Sequence, residues 1–210
     1  MSEVIADVRP SKAEQGAATR QRLLDATIDS LVELGWSGTS TTEVVRRAGV
    51  SRGAQVHHYP SKDDLVLAAI EHLLARRVEE YATAFDQLPD ERRTLAEGFE
   101  LLWSQCFGRS FDAWLELAIA ARRSPTLHER FLDVERRFAE STIDRFQSMF
   151  PEHFADRELA SVAMRLTFSV LDGLALGRIA GMSDEDLAAV RVAFNVLTTT
   201  FFLSSQGAPE

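Results

Sequence analysis

In the stretch AGVSRGAQVHHYPSK, residues 48–62, two adjacent histidines stand between a Gly-Val-Ser corner and a Tyr-Pro-Ser-Lys corner. Imidazoles can bind a metal, move a proton or donate to an anion, and spacing discriminates among these roles. Metal ligands on one helix converge from positions i and i+4, whereas His57 and His58 are neighbours that project about 100° apart. No Cys or acid lies four residues from either. No metal and no cofactor is implied, and the scattered His72, His128 and His153 read as surface or satisfied core residues. The anionic reading fits better. Ser40 and Ser51 are placed to start helices, whose free amides and positive dipole ends suit phosphate. Gly53 removes a side chain where a backbone could approach, and Arg52, Gln55 and His57 can donate to base edges. Lys62, one residue past Ser61, is a compact charge for phosphate. The bland alternative is that these polar residues merely face water.

Those residues need helices to aim them. Leu24, Ile28 and Leu31, flanked by Leu23, Thr27 and Leu34, make one apolar helix face from Thr19 that stops at Gly35. Ser40-Thr41-Thr42-Glu43 has the Ser-x-x-Glu spacing of a capping box and starts a second helix through about Ala48. Gly49 supplies a left-handed turn, Val50 fills the corner, and Ser51 caps a third short helix that ends before Pro60. Helix, tight turn, helix is a helix-turn-helix, a shape that fits the major groove of duplex DNA. Ser61-x-x-Asp64 then caps a long helix to about Phe85. Further helices are expected near 92–107, 111–122, 126–149, 156–180 and 184–204, separated by Gly and Pro breaks. Alternating β-branched runs are absent, so the expected class is all-α, with about nine helices.

Composition divides the chain at the same place. All 13 Phe lie at position 85 or later. Residues 1–62 hold 8 Lys/Arg and 7 Asp/Glu, whereas residues 63–210 hold 15 and 25, so the formal net charge of −9 hides a front end that is not acidic. The expected division is a disordered arm over 1–16, a helix-turn-helix domain over 17–62, and a helical effector-binding and dimerisation domain over 63–210. A single cysteine, Cys106, precludes an intrachain disulfide. It reads as an inert residue on an apolar helix face, with redox sensing as the alternative. The N-terminus lacks the apolar run of a secretory signal, and the uncharged stretch 192–209 carries too many Thr and Ser for a lipid-facing span, so the cytoplasm is the expected location and no membrane partner is expected.

The run TRQRLLDATIDSLVELGWSGTSTTEVVRRAGVSRGAQVHHYPSKDDLVLAAIEHL resembles the DNA-binding domain of the TetR family of bacterial transcriptional regulators. The ordered set is Gly35-Trp36, Thr39-Ser40, Ala48-Gly49-Val50-Ser51, Gly53, His58-Tyr59 and Ser61-Lys62 with Leu65, within residues 19–74. The resemblance implies a homodimeric repressor with two helix-turn-helix heads on a palindromic operator, a divergent small-molecule pocket, and dimerisation through the last two long helices. By position, Ser40 and Thr41 would touch phosphates, Arg52, Gly53, Ala54 and His57 would lie at the groove, and His58 and Lys62 would clamp the backbone. Where relatives commonly carry Leu-Tyr this chain has Gln55-Val56, which removes a tyrosine phosphate contact and puts a polar residue at a packing position.

In the second domain, Phe99, Trp103, Phe107, Phe111 and Trp114, with Phe138 later, could line an apolar effector pocket, although aromatic residues at helical spacing more often fill a core. Asp172, among Val170, Leu171 and Leu174, could pair with Arg165 or Arg178 or offer a ligand an acceptor. Gly173, Gly177 and Gly181 repeat every four residues, a spacing that costs helix stability unless another helix approaches closely. With Phe194, Leu197 and Phe201 on the following helix, a dimeric four-helix bundle is the expected use, and an intramolecular contact the alternative. The leading expectation is a DNA-binding, ligand-responsive repressor released by a small, largely apolar effector. An enzyme using the C-terminal cavity is the alternative, but no Gly-x-Ser-x-Gly, Walker loop or His-Glu-x-x-His occurs, and a helical adaptor would leave the helix-turn-helix signals unexplained.

Overall fold

The computed structural model describes residues 11–205, and for Cys106 and residues 201–205 the backbone alone. Nine α-helices occur among the described residues: α1 (Lys12–Gly38), α2 (Thr41–Ala48), α3 (Arg52–His58), α4 (Lys62–Asp86), α5 (Leu95–Cys106), α6 (Arg109–Ala121), α7 (Pro125–Met149), α8 (Arg157–Ile179) and α9 (Asp184–Ser205). A 3₁₀ turn at Asp90–Arg92 precedes α5, and no strand is present among these residues. The all-α expectation holds.

The first helix starts earlier than its apolar periodicity. Ser11 accepts from the Glu14 amide and the Glu14 carboxylate accepts from the Ser11 amide at 2.6 Å, a complete capping box that begins α1 at Lys12. The arm expected over 1–16 is therefore helical from 12 onward, and residues 1–10 lie outside the described residues. At its other end α1 does not stop at Gly35. Gly35 breaks the helix with φ 67° and ψ −179°, and one further turn runs to Gly38.

Two faces of α1 serve two cores. Leu23 and Ala26 pack with Val44 and Ala48 of α2 and Leu65 of α4, while Val50 and Tyr59 close this small cluster. Leu24, Ile28 and Leu31 instead meet Val66, Ile70 and Leu73 of α4, Ala113 and Leu117 of α6 and Phe131 of α7. The boundary expected at residue 62 falls in the first turn of α4, whose Leu65 belongs to the head. Polar residues buried on α1 are satisfied locally, since Thr27 donates to the Leu23 carbonyl at 2.7 Å and Ser30 to the Ala26 carbonyl at 2.8 Å. A third, aromatic-rich core joins the far end of α4 to α5, α7 and α8 through Tyr81, Phe85, Phe99, Phe146, Phe150 and Phe154.

The last two helices bury one face and leave another bare. In α8, Ala160, Met164, Thr167, Leu171 and Leu174 are buried, whereas Val162, Leu166, Leu176 and Ile179 are exposed. On α9, Val192, Val196 and Leu197 are exposed, Leu197 by 68%. Two apolar faces on one helix also make α8 long and apolar enough to cross a membrane by length and composition.

The glycine stripe divides. Gly173 is exposed and a Cβ there would meet nothing, so it belongs to the bare face. A Cβ on Gly177 would instead strike the Met182 side chain at 2.9 Å, and Gly181 takes φ 91° in the turn between α8 and α9. Both therefore have a use within the chain, the intramolecular alternative, in a tight α8–α9 turn. Phe194 is likewise turned inward, with its ring 5.7 Å from that of Phe99. The Phe201 side chain lies outside the described residues.

The two positive-φ glycines of the head separate strain from contact. Gly49 at the helix-turn-helix corner has open space where a Cβ would stand, whereas a Cβ on Gly35 would meet a Glu116 carboxylate oxygen at 3.0 Å. Gly49→Ala is expected to cost about 1–2 kcal/mol from left-handed strain alone. Gly35→Ala adds displacement of Glu116 to a strain of about 1–3 kcal/mol. Denaturant unfolding of both variants checks this, and equal costs would show that Glu116 is not displaced.

Candidate nucleic-acid interface and effector cavity

Capping sets the pitch of the helix-turn-helix. Ser40 accepts from the Glu43 amide, but the Glu43 carboxylate does not complete the expected reciprocal box. It binds Arg46 at 2.7 Å and Arg47 at 2.6 Å, and these two guanidinium groups hold its carboxyl down at about 2. Arg47 reaches on to Glu33 of α1 at 2.6 Å, so this cluster ties α2 to the head. Gly49 takes φ 62°, and Ser51 accepts from the Ala54 amide to begin α3.

Seven residues of α3 present a defined outer face. Arg52, Gly53, Val56 and His57 are exposed, and Ala54 and His58 are half-buried. Arg52 reaches the Thr42 hydroxyl at 3.5 Å, which joins the start of α3 to α2. Gln55 is different. It is 1% exposed, and its side-chain amide donates to the Tyr59 carbonyl at the end of α3. Its expected place at the groove is corrected: it is a packing residue whose polar end is satisfied by the helix terminus. Val56, 47% exposed, stands outward next to it.

The rings of His57 and His58, neighbours on α3, meet edge to face. Their ring centres lie 5.2 Å from one another at 63°. Burial, His57 and Arg20 together push the His58 imidazole below its ordinary value, which favours the neutral ring. Arg20 on α1, outside α2 and α3, is thus a basic group beside the end of α3 that the sequence reading missed. Exposed Ser40, Thr42 and Arg46, with half-buried Thr41, complete the outer surface of α2. No group of three or more potential metal ligands occurs among the described residues.

Lys62 has a partner inside the protein. Its ammonium donates to the Trp36 carbonyl and lies 4.0 Å above the centre of the Trp36 ring. Burial lowers its pKa. Where a phosphate clamp was expected, Lys62 staples the start of α4 to the last turn of α1. The same Trp36 donates its amide to Glu116 of α6 at 2.7 Å. Two more contacts join head and body: Arg109 of α6 with Asp29 of α1, and Arg130 of α7 with Asp64 in the α4 cap at 2.7 Å.

Glu116 sits two residues from a cavity. About 600 Å³ opens between α4, α6, α7 and α8, within the range of small-molecule sites. Phe111, Trp114, Phe138 and Asp172 line it as expected, and Phe168 and Glu135 join them. The Trp114 indole donates to Glu135 at 2.8 Å. Phe99, Trp103 and Phe107 do not reach this cavity. Phe99 packs in the distal core, and Trp103 stacks edge-on with Phe107 at 4.5 Å, while Arg191 and Arg178 cover those two rings. The void bordered by Phe99 and Trp103 holds only about 20 Å³. These three are corrected to core residues, because α5 packs against α8 and α9 rather than α6.

Comparison with known proteins agrees with this layout. Residues 23–69 match the model of bacterial regulatory proteins of the tetR family. The helix-turn-helix transcriptional regulator CymR of Pseudomonas putida is 28% identical over 183 residues, 87% of this chain and 90% of that protein. A helix-turn-helix transcriptional regulator of Mycobacterium tuberculosis is 28% identical over 160 residues, 76% of this chain and 82% of that one. The crystal structure of a transcriptional regulator from Rhodococcus superposes with a TM-score of 0.65 at 24% identity, covering 90% of this chain and 99% of that chain. Over residues 23–69 the chain is thus similar to the tetR family of bacterial regulatory proteins, and that span holds the helix-turn-helix formed by α2 and α3.

Proposed function

We propose that the protein is a homodimeric repressor that leaves a palindromic operator when a small molecule occupies the cavity between α4, α6, α7 and α8. The observation that carries this reading is the short path from cavity to head. Trp114 lines the cavity, and Glu116 on the same helix holds the Trp36 amide at the end of α1. A ligand that repositions α6 repositions the head, and linkage then requires DNA and ligand to weaken one another by the same factor. In this reading the protein acts in the cytoplasm, where the operator is. The decisive experiment is a titration of labelled DNA from upstream of the gene by anisotropy, with and without metabolites that raise the melting temperature. A specific complex dissociated by a stabilising metabolite is the expected result.

At the DNA, Arg52, Gly53, Ala54 and His57 would face base edges and Ser40, Thr41 and His58 the backbone, with Arg20, Thr42 and Arg46 as additional contacts. His57→Ala is expected to relax preference at one or two operator positions by about 1–3 kcal/mol, with the melting temperature unchanged. An operator-substitution panel checks it, and identical profiles would remove the base-reading role.

The staple role of Lys62 makes a contrary prediction. Lys62→Met should lower the melting temperature while the salt dependence of DNA binding keeps its slope. A slope smaller by about one unit would return Lys62 to the phosphates.

Dimerisation would use the bare face of α8 and α9, where Val162, Leu166, Gly173, Val196 and Leu197 are exposed. Leu197→Glu together with Val162→Glu should yield a helical monomer by sedimentation equilibrium, with operator affinity lost. A dimer that persists would place the interface elsewhere.

A further inference from the structure

The cavity has a charge imbalance on its inner wall. Asp172 of α8, Glu135 of α7 and Arg77 of α4 line it and are each half-buried, so two acids face one guanidinium. The remaining charged groups of the lining, Arg136, Glu140, Arg157 and Arg165, are exposed, with Arg136 bonded to Asp133 and Arg157 to Asp144 at the rim. Arg77 also donates to the Gln105 carbonyl at 3.4 Å, which draws it toward α5. Around the acids stand two pairs of rings. Phe111 and Trp114 on α6 lie 5.6 Å apart, and Phe138 of α7 meets Phe168 of α8 at 5.4 Å.

We propose that the cavity takes a monovalent organic ammonium ion with an apolar body, its cationic carbon–nitrogen group between Glu135 and Asp172 and its hydrocarbon against the surrounding rings. The inference rests on the reading of this cavity as the effector site and names the chemical class of the effector. Aromatic faces attract ammonium groups through their quadrupoles, and a partly desolvated site strengthens that attraction. The acids supply the opposite charge. Burial raises the Asp172 carboxyl to about 6, with Arg77 opposing that rise, and burial followed by the nearby Asp172 raises Glu135 against the Trp114 hydrogen bond. Both shifts come chiefly from burial, so a cation placed between the two carboxylates would favour their charged forms. A neutral ligand would desolvate them further with no compensation, and an anion would add repulsion.

A pH dependence follows from the groups that face Asp172. These are Arg77 from α4, Glu135, Arg136 and Glu140 from α7, and Arg157 and Arg165 from α8 itself, while α6 presents only rings. The arginines stay charged, so lowering the pH through about 6 neutralises Asp172 and removes attraction for a cation. A permanently charged ligand should therefore bind more tightly at pH 7.5 than at pH 5.

The test is calorimetric titration of the full chain with benzyltrimethylammonium, its neutral isostere neopentylbenzene, and phenylacetate. The ammonium ion is expected to bind at least about tenfold more tightly than either comparator. Glu135→Gln and Asp172→Asn, checked for unchanged circular dichroism, should each weaken it by a similar factor, whereas the remote Glu91→Gln should not. Neopentylbenzene binding as tightly as the ammonium ion, no ammonium binding, or ammonium binding indifferent to both acid variants would overturn the proposal. DNA release is read separately by anisotropy. Cation binding that depends on Glu135 and Asp172 but leaves operator affinity unchanged would sustain the ligand class and reject the repressor coupling. Release by a neutral ligand that excludes the ammonium ion would do the reverse.

Discussion

Trp36 holds the two halves of the molecule in register. Gly35 breaks α1 one residue earlier, and the freed Trp36 amide is taken by Glu116 of α6 at 2.7 Å. The Trp36 carbonyl receives the Lys62 ammonium, which also lies over the indole ring. One residue thus joins α1, α4 and α6 by both of its backbone groups and its side chain. A helix terminus normally leaves such groups to water, and satisfying them here with side chains from other helices fixes where the head stands. Charge-assisted hydrogen bonds of this kind tolerate little change in direction, which makes the joint stiff.

Stiffness at the joint explains why α1 needs two apolar faces. Leu23 and Ala26 belong to the head while Leu24, Ile28 and Leu31 belong to the body, so the helix cannot rotate without opening one of the two cores. A packed interface of this kind has discrete arrangements rather than a continuum. In the proposed repressor, movement of α6 at Glu116 would be passed to α1 as a whole.

Local chemistry was legible in the sequence wherever a residue's partner lies within a few positions. The caps at Ser51 and Ser61, the left-handed Gly49 and the apolar spacing of α1 and α4 all depend on neighbours, and each is found as expected. The Ser11-x-x-Glu14 box carries the same signal, but no apolar stripe follows it at once to mark a helix there. Partners far along the chain were not legible. The Glu43 carboxylate, expected to close a box with Ser40, is taken instead by Arg46 and Arg47. Lys62 looked free because its partner is 26 positions away. Phe99, Trp103 and Phe107 have the same helical spacing as Phe111 and Trp114. The sharp turn at Gly108, φ 118°, sends α5 to a different core from α6.

The same distance argument applies to electrostatics. Asp172 and Glu135 are 37 positions apart in the sequence, and nothing near either one marks it as part of a pair. Folding brings them to one wall at a cost that their raised pKa values report. With folded values above the unfolded ones, each group stabilises the fold only while protonated, so that contribution is lost as pH rises through the folded pKa. For Asp172 that loss is complete above about 6. At neutral pH the two half-buried carboxylates therefore put an electrostatic load on this wall. A ligand shifts an equilibrium only by its differential affinity for the two states. A group that removes this load from one arrangement of α6, α7 and α8, and not from another, supplies that difference at the one place connected to the head through Glu116.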